Sequence, residues 1–319
     1  MNAALLALLS AFALSALPAH AADWSCESAT LVIPYPAGGP TDALGRMVAK
    51  GLTGSWAKNV VVLNRPGGGT TIGTNEVVRA TADGCTMGVV SLALVTNPIV
   101  NDALPFNTAR DVKPVTLVAT FPGVIVVTPG FPANTPAELV GWARKNPGKL
   151  AYATTGAMGF SHLTGEMLGE KADVDLVHVP YKGSSAAYPD VISGRVPMMI
   201  DSGPPILQLI KSGKVRAVAV TSAERNALLP DVPTLAESGF DVRVNIWLGL
   251  VTSSKVADDR VLQVSQHVRA AVHETAAAQQ LESMNFTPQG SSPAEFRALL
   301  DSEQTRWSGL IKKRNIKSE

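Results

Sequence analysis

The chain has 319 residues, 46% hydrophobic and 17% charged, the make-up of a globular protein with one large or two medium domains. A formal net charge of +1 provides no broad field for nucleic acid or an anionic membrane. An aromatic content of 5% provides no base-stacking surface, so nucleic acid is not an expected partner.

Residues 1–18 are almost wholly apolar, and Ala19-His20-Ala21 follows with the small-x-small pattern of a cleavage site. The reading is a signal peptide over 1–21 and an exported chain that starts near Ala22. The alternative is a retained membrane anchor, and no other segment approaches the ~20 unbroken apolar residues of a spanning helix. Cys26 and Cys85 are the two cysteines, each placed just before a predicted strand. An even pair in an oxidising compartment predicts a disulfide. Two thiols without nearby histidines do not make a zinc site.

Strands are predicted over 29–34, 59–63, 86–91, 124–127, 150–153, 175–180, 196–201 and 215–221. Helical stretches over 42–52, 70–81, 137–146 and 161–169 alternate with them, which predicts α/β layers with largely parallel sheets. Thr135-Pro136-Ala137-Glu138 and Ser292-Pro293-Ala294-Glu295 each mark a helix start, with an N-cap hydroxyl, a proline at the first position and a glutamate at the third. The second opens a long C-terminal helix to about Lys312. Two extended apolar passages, 114–127 and 240–252, are suited to carry the chain between lobes in both directions.

Nucleotide readings of the glycine-rich stretches fail. "NRPGGGTTIG" does not have G-x-G-x-x-G spacing, and "AGGPTDALGR" lacks the Gly-Lys-Ser/Thr ending of a P-loop. Gly67, Gly68 and Gly69 are read either as a tight strand-to-helix connection or as a ligand contact. "GFSHLTG" falls short of a nucleophile elbow because Leu163 stands where glycine belongs. Ser161 beside His162 leaves an exported serine hydrolase as a second reading. His162 at a helix start also reads as a capping residue.

Residues 34–42 and 154–162 share one plan, from strand through small residues and glycines into a helix start. Unpaired N–H donors and the positive end of the helix dipole suit such a place to a carboxylate or phosphate. The alternative is a pair of ordinary strand-to-helix turns. Asp42 cannot attract an anion, and reads either as first-turn stabilisation or as a holder of water or a ligand amine. Lys182 reads as a solvated charge or a ligand contact.

Eight phrases occur in the order of a known family: "IPYPAGGPTDALGR", "NRPGGGTTIGTNEVVRATADG", "DVKPVTLVAT", "NPGKLAYATTG", "SHLTGEM", "VPYKGSSAAYPDVISGRVPMMIDS", "LLPDVPTLAESG" and a C-terminal "RW". Through them the chain resembles the tripartite tricarboxylate transporter substrate-binding proteins, the Bug family of bacterial periplasmic receptors. The resemblance implies an α/β fold of the type II periplasmic-binding-protein kind, with two α/β lobes joined by crossover strands and a ligand cleft between them. The expected division is 22–118 for the first part of lobe 1, 119–246 for lobe 2 and 247–319 for the return to lobe 1.

The resemblance also implies a non-enzymatic monomer in the periplasm that captures a small organic carboxylate, with no cofactor and no metal. Its partners would be membrane transporter subunits or a sensor protein. In the family one carboxylate is gripped by two loops, partly through ordered water. The matching residues here are Ala37, Gly38, Gly39, Thr41 and Asp42, and then Gly156, Ala157, Met158, Gly159, Phe160, Ser161 and His162. Ser91, Tyr181, Lys182 and Asp201 match further stretches that line the cleft. The second loop departs from the family's small hydroxylated residues. Met158 and Phe160 predict added apolar surface and a preference for carboxylates with an apolar or aromatic body, unless Phe160 packs inward.

Overall fold

The computed structural model describes residues 25–316, so the segment read as a signal peptide lies outside them. Strand β1 (Cys26–Ile33) leads into α1 (Pro40–Leu52) and back to β2 (Ala57–Asn64). A 3-10 turn at Gly68–Thr70 opens α2 (Thr71–Arg79), and β3 (Thr86–Val90), α3 (Ala93–Val100) and α4 (Thr108–Asp111) follow. The glycines at 67, 68 and 69 all have positive φ and form the turn between β2 and α2. β1 pairs in parallel with β2 on one side and β3 on the other. The second half of β1 and most of β3 are apolar and buried, as parallel strands covered on both faces must be.

The next strand, β4 (Val112–Val127), is far longer than the 124–127 expected and carries the chain into a second sheet. There α5 (Pro136–Lys145), β5 (Leu150–Thr154), α6 (Phe160–Ala172), β6 (Leu176–Pro180), α7 (Ser184–Ile192), β7 (Met198–Ser202), α8 (Pro204–Lys211) and β8 (Arg216–Val220) follow. β9 (Asn245–Ser253) returns to the first sheet, and α9 (Asp258–His273), α10 (Thr275–Ser283), β10 (Thr287–Pro288) and α11 (Pro293–Arg314) close the chain. The strand order is β2-β1-β3-β9-β4-β7-β5-β6, with β8 and β10 also paired to β4.

Parallel pairing holds within each half only. β9 runs antiparallel to β3 and β4, and β4 runs antiparallel to β7 and β8. The reason is the crossing itself: a strand that leaves one sheet for the next cannot return in the same direction. β4 pairs with β9 from Val112 to Pro122, with register shifts near Pro114 where a ladder donor is missing. From Gly123 onward its partners are β7 and β8. At that change of partner the Thr221 hydroxyl accepts from Gly123 N–H at 3.0 Å and donates to Val244 O at 2.7 Å. One side chain therefore ties both crossing segments.

Cys26 and Cys85 form a disulfide across the β1–β3 neighbours, with Cα atoms 5.8 Å apart. Cys26 is the first residue of β1 rather than a residue before it. α11 begins with a full capping box, in which Ser292 accepts from Glu295 N–H and Glu295 accepts from Ser292 N–H. Its Phe296, Leu300, Trp307, Leu310 and Ile311 join a core that also contains Val32 from β1 and Tyr152 from β5.

Candidate functional site

The sequence-predicted residues collect at the carboxyl ends of parallel strands. The loop 34–39 leaves β1, Ser91 follows β3, the loop 155–159 leaves β5, Tyr181 and Lys182 leave β6, and Asp201 is near the end of β7. In open α/β sheets this is where ligands bind. Four helices that start there, α1, α6, α7 and α8, have a glycine at the N-cap and no side-chain cap. By contrast α5, α10 and α11 are capped by Thr135, Glu274 and Ser292. The uncapped helices keep their first N–H groups without an intrahelical partner.

The first loop is held from beneath by Asp42, which is buried. Its Oδ2 accepts from Gly38 N–H at 2.9 Å and from Arg46 Nε at 2.9 Å. Its Oδ1 accepts from Asn64 Nδ2 at 2.9 Å, and Asn64 Nδ2 also donates to Tyr35 O. Burial works against the Asp42 carboxylate, but the hydrogen bonds from Arg46, Gly38 and Asn64 outweigh it and hold the group below the usual carboxylate range. Gly38 N–H is thus committed inside the loop, and Asp42 is its anchor rather than a ligand contact. Tyr35 OH is hydrogen-bonded to Ser91 Oγ, which joins the end of β3 to this loop.

The second loop is held by His162, also buried, whose Nδ1 accepts from Met158 N–H at 3.1 Å. The His162 ring stacks on His178 at 3.7 Å between centroids. His178 Nε2 is 2.7 Å from Thr154 Oγ1, and Thr154 Oγ1 accepts from Gly156 N–H at 3.3 Å. Burial, then the neighbouring His178, lowers the His162 pKa to about 4, so the imidazole is neutral at neutral pH. Ser161 is buried, and its Oγ accepts from Thr155 N–H at 3.1 Å. Neither His162 nitrogen serves Ser161, because Nδ1 takes Met158 N–H and Nε2 faces Glu166 Oε1 at 3.9 Å. The hydrolase reading fails on this geometry.

One further expectation is corrected, and an alternative left open at Phe160 is decided. Met158 is 7% exposed and its side chain belongs to the core shared with Leu163 and Tyr152, so it adds no apolar ligand surface. Phe160 packs inward on the same core, with its ring over Gly123. The physical reason is that α6 is buried on nearly every face, so side chains at its start turn into protein. Asp201 is 3% exposed, and its carboxylate accepts from Ser184 Oγ and Tyr188 OH, both at 2.8 Å. It fixes the start of α7, and burial raises its pKa to about 6. Tyr181 OH donates to Asp190, while Lys182 is exposed.

The halves meet at this site. A Cβ on Gly203, the N-cap of α8, would lie 3.4 Å from Pro40 Cγ at the start of α1. Thr96 of α3 donates to Met158 O over 3.5 Å. A separate cavity of about 830 Å³ lies beside the crossing strands, lined by Thr120, Phe121, Asn226, Asn245, Asn285 and Phe286 among others, and no sequence-predicted site residue lines it. Sequence reasoning missed Tyr35, Asn64, Thr154 and His178. Asn64 and His178 sit on strands that lie beside the loops only through sheet register, which no local pattern discloses.

Residues 44–316 match the tripartite tricarboxylate transporter family receptor. The chain belongs to that family. A Pseudomonas sp. (strain P51) relative, the UPF0065 protein in the tcbD-tcbE intergenic region, is 36% identical over 302 residues, covering 93% of this chain and 87% of the relative. Among solved structures, R. palustris Rpa4515 with adipate superposes with a TM-score of 0.83 at 29% identity, covering 93% of this chain and all of the other. The periplasmic binding protein BugD gives 0.77 at 30% identity, covering 92% and 99%. This tripartite tricarboxylate transporter family receptor is therefore a solute-binding protein of the two-lobed periplasmic type, and the hydrolase alternative falls with its geometry.

Proposed function

We propose that the protein is a non-enzymatic periplasmic receptor that grips a small organic carboxylate between the loops following β1 and β5. The observation that carries the reading is the pair of glycine-started, uncapped helices α1 and α6, each with an N3 side chain bracing its loop. Donors fixed in this way need little reorganisation to receive an anion. The R. palustris protein with adipate, alike over nearly the whole chain, supports a carboxylate as the class of ligand.

The gripping residues on this reading are Ala37, Gly39 and Thr41 on one side, where Gly38 shapes the loop with its own N–H held by Asp42, and Gly156, Ala157, Gly159 and Phe160 on the other, acting mainly through backbone. Ser91, Tyr181 and Lys182 complete the rim. The lobes divide as 22–118 and 247–319 against 119–246, a split favoured by the exchange of β4 partners at Gly123. Closure turns on the crossing strands around Gly123, Thr221 and Val244. The chain is a monomer cleaved after Ala21, and it delivers its ligand to membrane transporter subunits or a sensor protein.

A thermal-shift screen of mono-, di- and aromatic carboxylates tests the reading. At ligand near 100 times Kd, binding adds about 2.7 kcal/mol, a midpoint rise of roughly 5 °C for a chain of this size. A folded protein whose midpoint stays fixed across the whole screen contradicts the proposal.

A further inference from the structure

The two ligand loops are one local structure built twice. In the first, Gly38 has φ +87°, Gly39 follows as N-cap with φ −84° and ψ 172°, and Asp42 stands at N3 of α1. In the second, Met158 has φ +59°, Gly159 follows as N-cap with φ −81° and ψ 173°, and His162 stands at N3 of α6. The N3 side chain reaches back in each case to the N–H of the residue before the N-cap, at 2.9 Å in the first loop and 3.1 Å in the second. This is the reach of a capping box extended by one residue. Oδ2 of aspartate and Nδ1 of histidine lie equally far along their side chains, so the two residues can do the same work.

They do it with different chemistry. A carboxylate accepts a hydrogen bond at any pH above its own acid limb, whereas Nδ1 accepts only while it carries no proton. The groups packed on His162 come from four elements. His178 of β6 stacks on the ring, Glu166 of α6 faces Nε2, and Tyr152 of β5 donates to the His162 carbonyl at 3.3 Å. Arg314 of α11 holds Glu166 at 3.0 Å.

We infer that His162 is the positioning residue of the second loop, the counterpart of Asp42 in the first, and that a proton on Nδ1 frees the second loop while the first stays braced. The inference rests on the reading of these loops as the ligand grip. Burial and His178 keep the imidazole neutral down to a pKa of about 4, so the brace is intact at neutral pH and is lost on acidification through that region. Acid loosens the α6 side of the grip because its brace is an imidazole nitrogen that a proton takes out of use.

The test compares the full chain with its H162N and H162L variants. Asparagine keeps a δ-position acceptor that does not titrate, and leucine removes it. Nitrogen NMR of the imidazole is expected to show the Nε2–H tautomer at pH 7. Amide exchange at Met158 is expected to be protected in wild type and H162N, open in H162L, and open in wild type alone as the imidazole protonates. With adipate as probe in calorimetry, wild-type affinity relative to H162N is expected to fall about two-fold at the imidazole midpoint and tenfold per further pH unit. Taking this ratio cancels ionisation of the probe and of Asp201. An Nδ1–H tautomer, a Met158 amide indifferent to H162L, or superimposable wild-type and H162N pH profiles overturns the inference. If the amide and tautomer behave as described but no carboxylate in the screen binds, the brace stands and the receptor reading falls.

Discussion

The ring of Phe160 occupies the space that a side chain at position 123 would need: a Cβ on Gly123 would lie 2.3 Å from Phe160 Cζ. Gly123 is also the point where β4 leaves β9 for β7 and β8, and its N–H is held by Thr221. The first residue of α6 therefore rests on the joint between the two halves. A glycine is required here for space, not for its backbone angles.

Gly123→Ala is accordingly expected to destabilise by about 1–3 kcal/mol through overpacking. Phe160→Ala opens the space again, so the double variant should cost less than the sum of the two single ones. Urea denaturation of all four proteins checks this, and simple additivity would show that the ring and the joint are not in contact.

Asp42→Ala removes the acceptor for Gly38 N–H and Asn64 together, with an expected cost of about 2–3 kcal/mol. Asp42→Asn retains one acceptor and should cost less. Arg46→Ala should stay within about 1 kcal/mol, because Arg46 is half exposed and its ion pair is screened. The sign with pH follows from the lowered pKa: the stabilisation is complete above the unfolded aspartate value and is lost as pH falls through the folded one. Thermal midpoints of the three variants between pH 7 and pH 3 measure both effects.

Asp201 acts in the opposite sense. With its pKa raised to about 6 from an ordinary 3.8, the folded protein holds this proton more tightly than the unfolded chain. Its contribution to stability is fully present below the unfolded value and is lost as pH rises through about 6, a span of roughly 3 kcal/mol. Asp201→Asn should flatten the stability profile between pH 4 and 6.5 while keeping one of the two acceptor oxygens that Ser184 and Tyr188 use. A profile unchanged by the substitution would place the titration elsewhere.

The Cys26–Cys85 bridge closes a loop of 59 residues in sequence separation. In the chain-entropy picture its removal costs about 4 kcal/mol. Paired serine substitutions are expected to lower the urea midpoint with adjacent strands β1 and β3 still formed by circular dichroism. Alkylation of the unreduced protein should label neither cysteine.

Much of this molecule was written locally. The 34–42 and 154–162 loops, the caps at Thr135 and Ser292 and the disulfide pair depend on residues a few positions apart or on an even cysteine count, and each is read without the fold. The family phrases picked out loop residues that the fold gathers at the carboxyl ends of the strands. What only the tertiary structure decided is which way those residues face. Met158 looks like a free apolar side chain in sequence, yet it is core because α6 is buried around most of its circumference. Asp42 and His162 read either as local helix-start residues or as ligand or catalytic groups, and only the fold shows both, with Ser161, turned back onto their own loops. Asn64 and His178 reach the loops through strand register, a relation between segments far apart in the chain. The expectation of largely parallel sheets holds only for the pairs around β1 and β5, because the antiparallel pairing of β4 and β9 comes from crossing between sheets and not from either strand's own pattern. Local sequence fixes which N–H groups are left uncapped; long-range packing fixes what braces them and what is left open to a ligand.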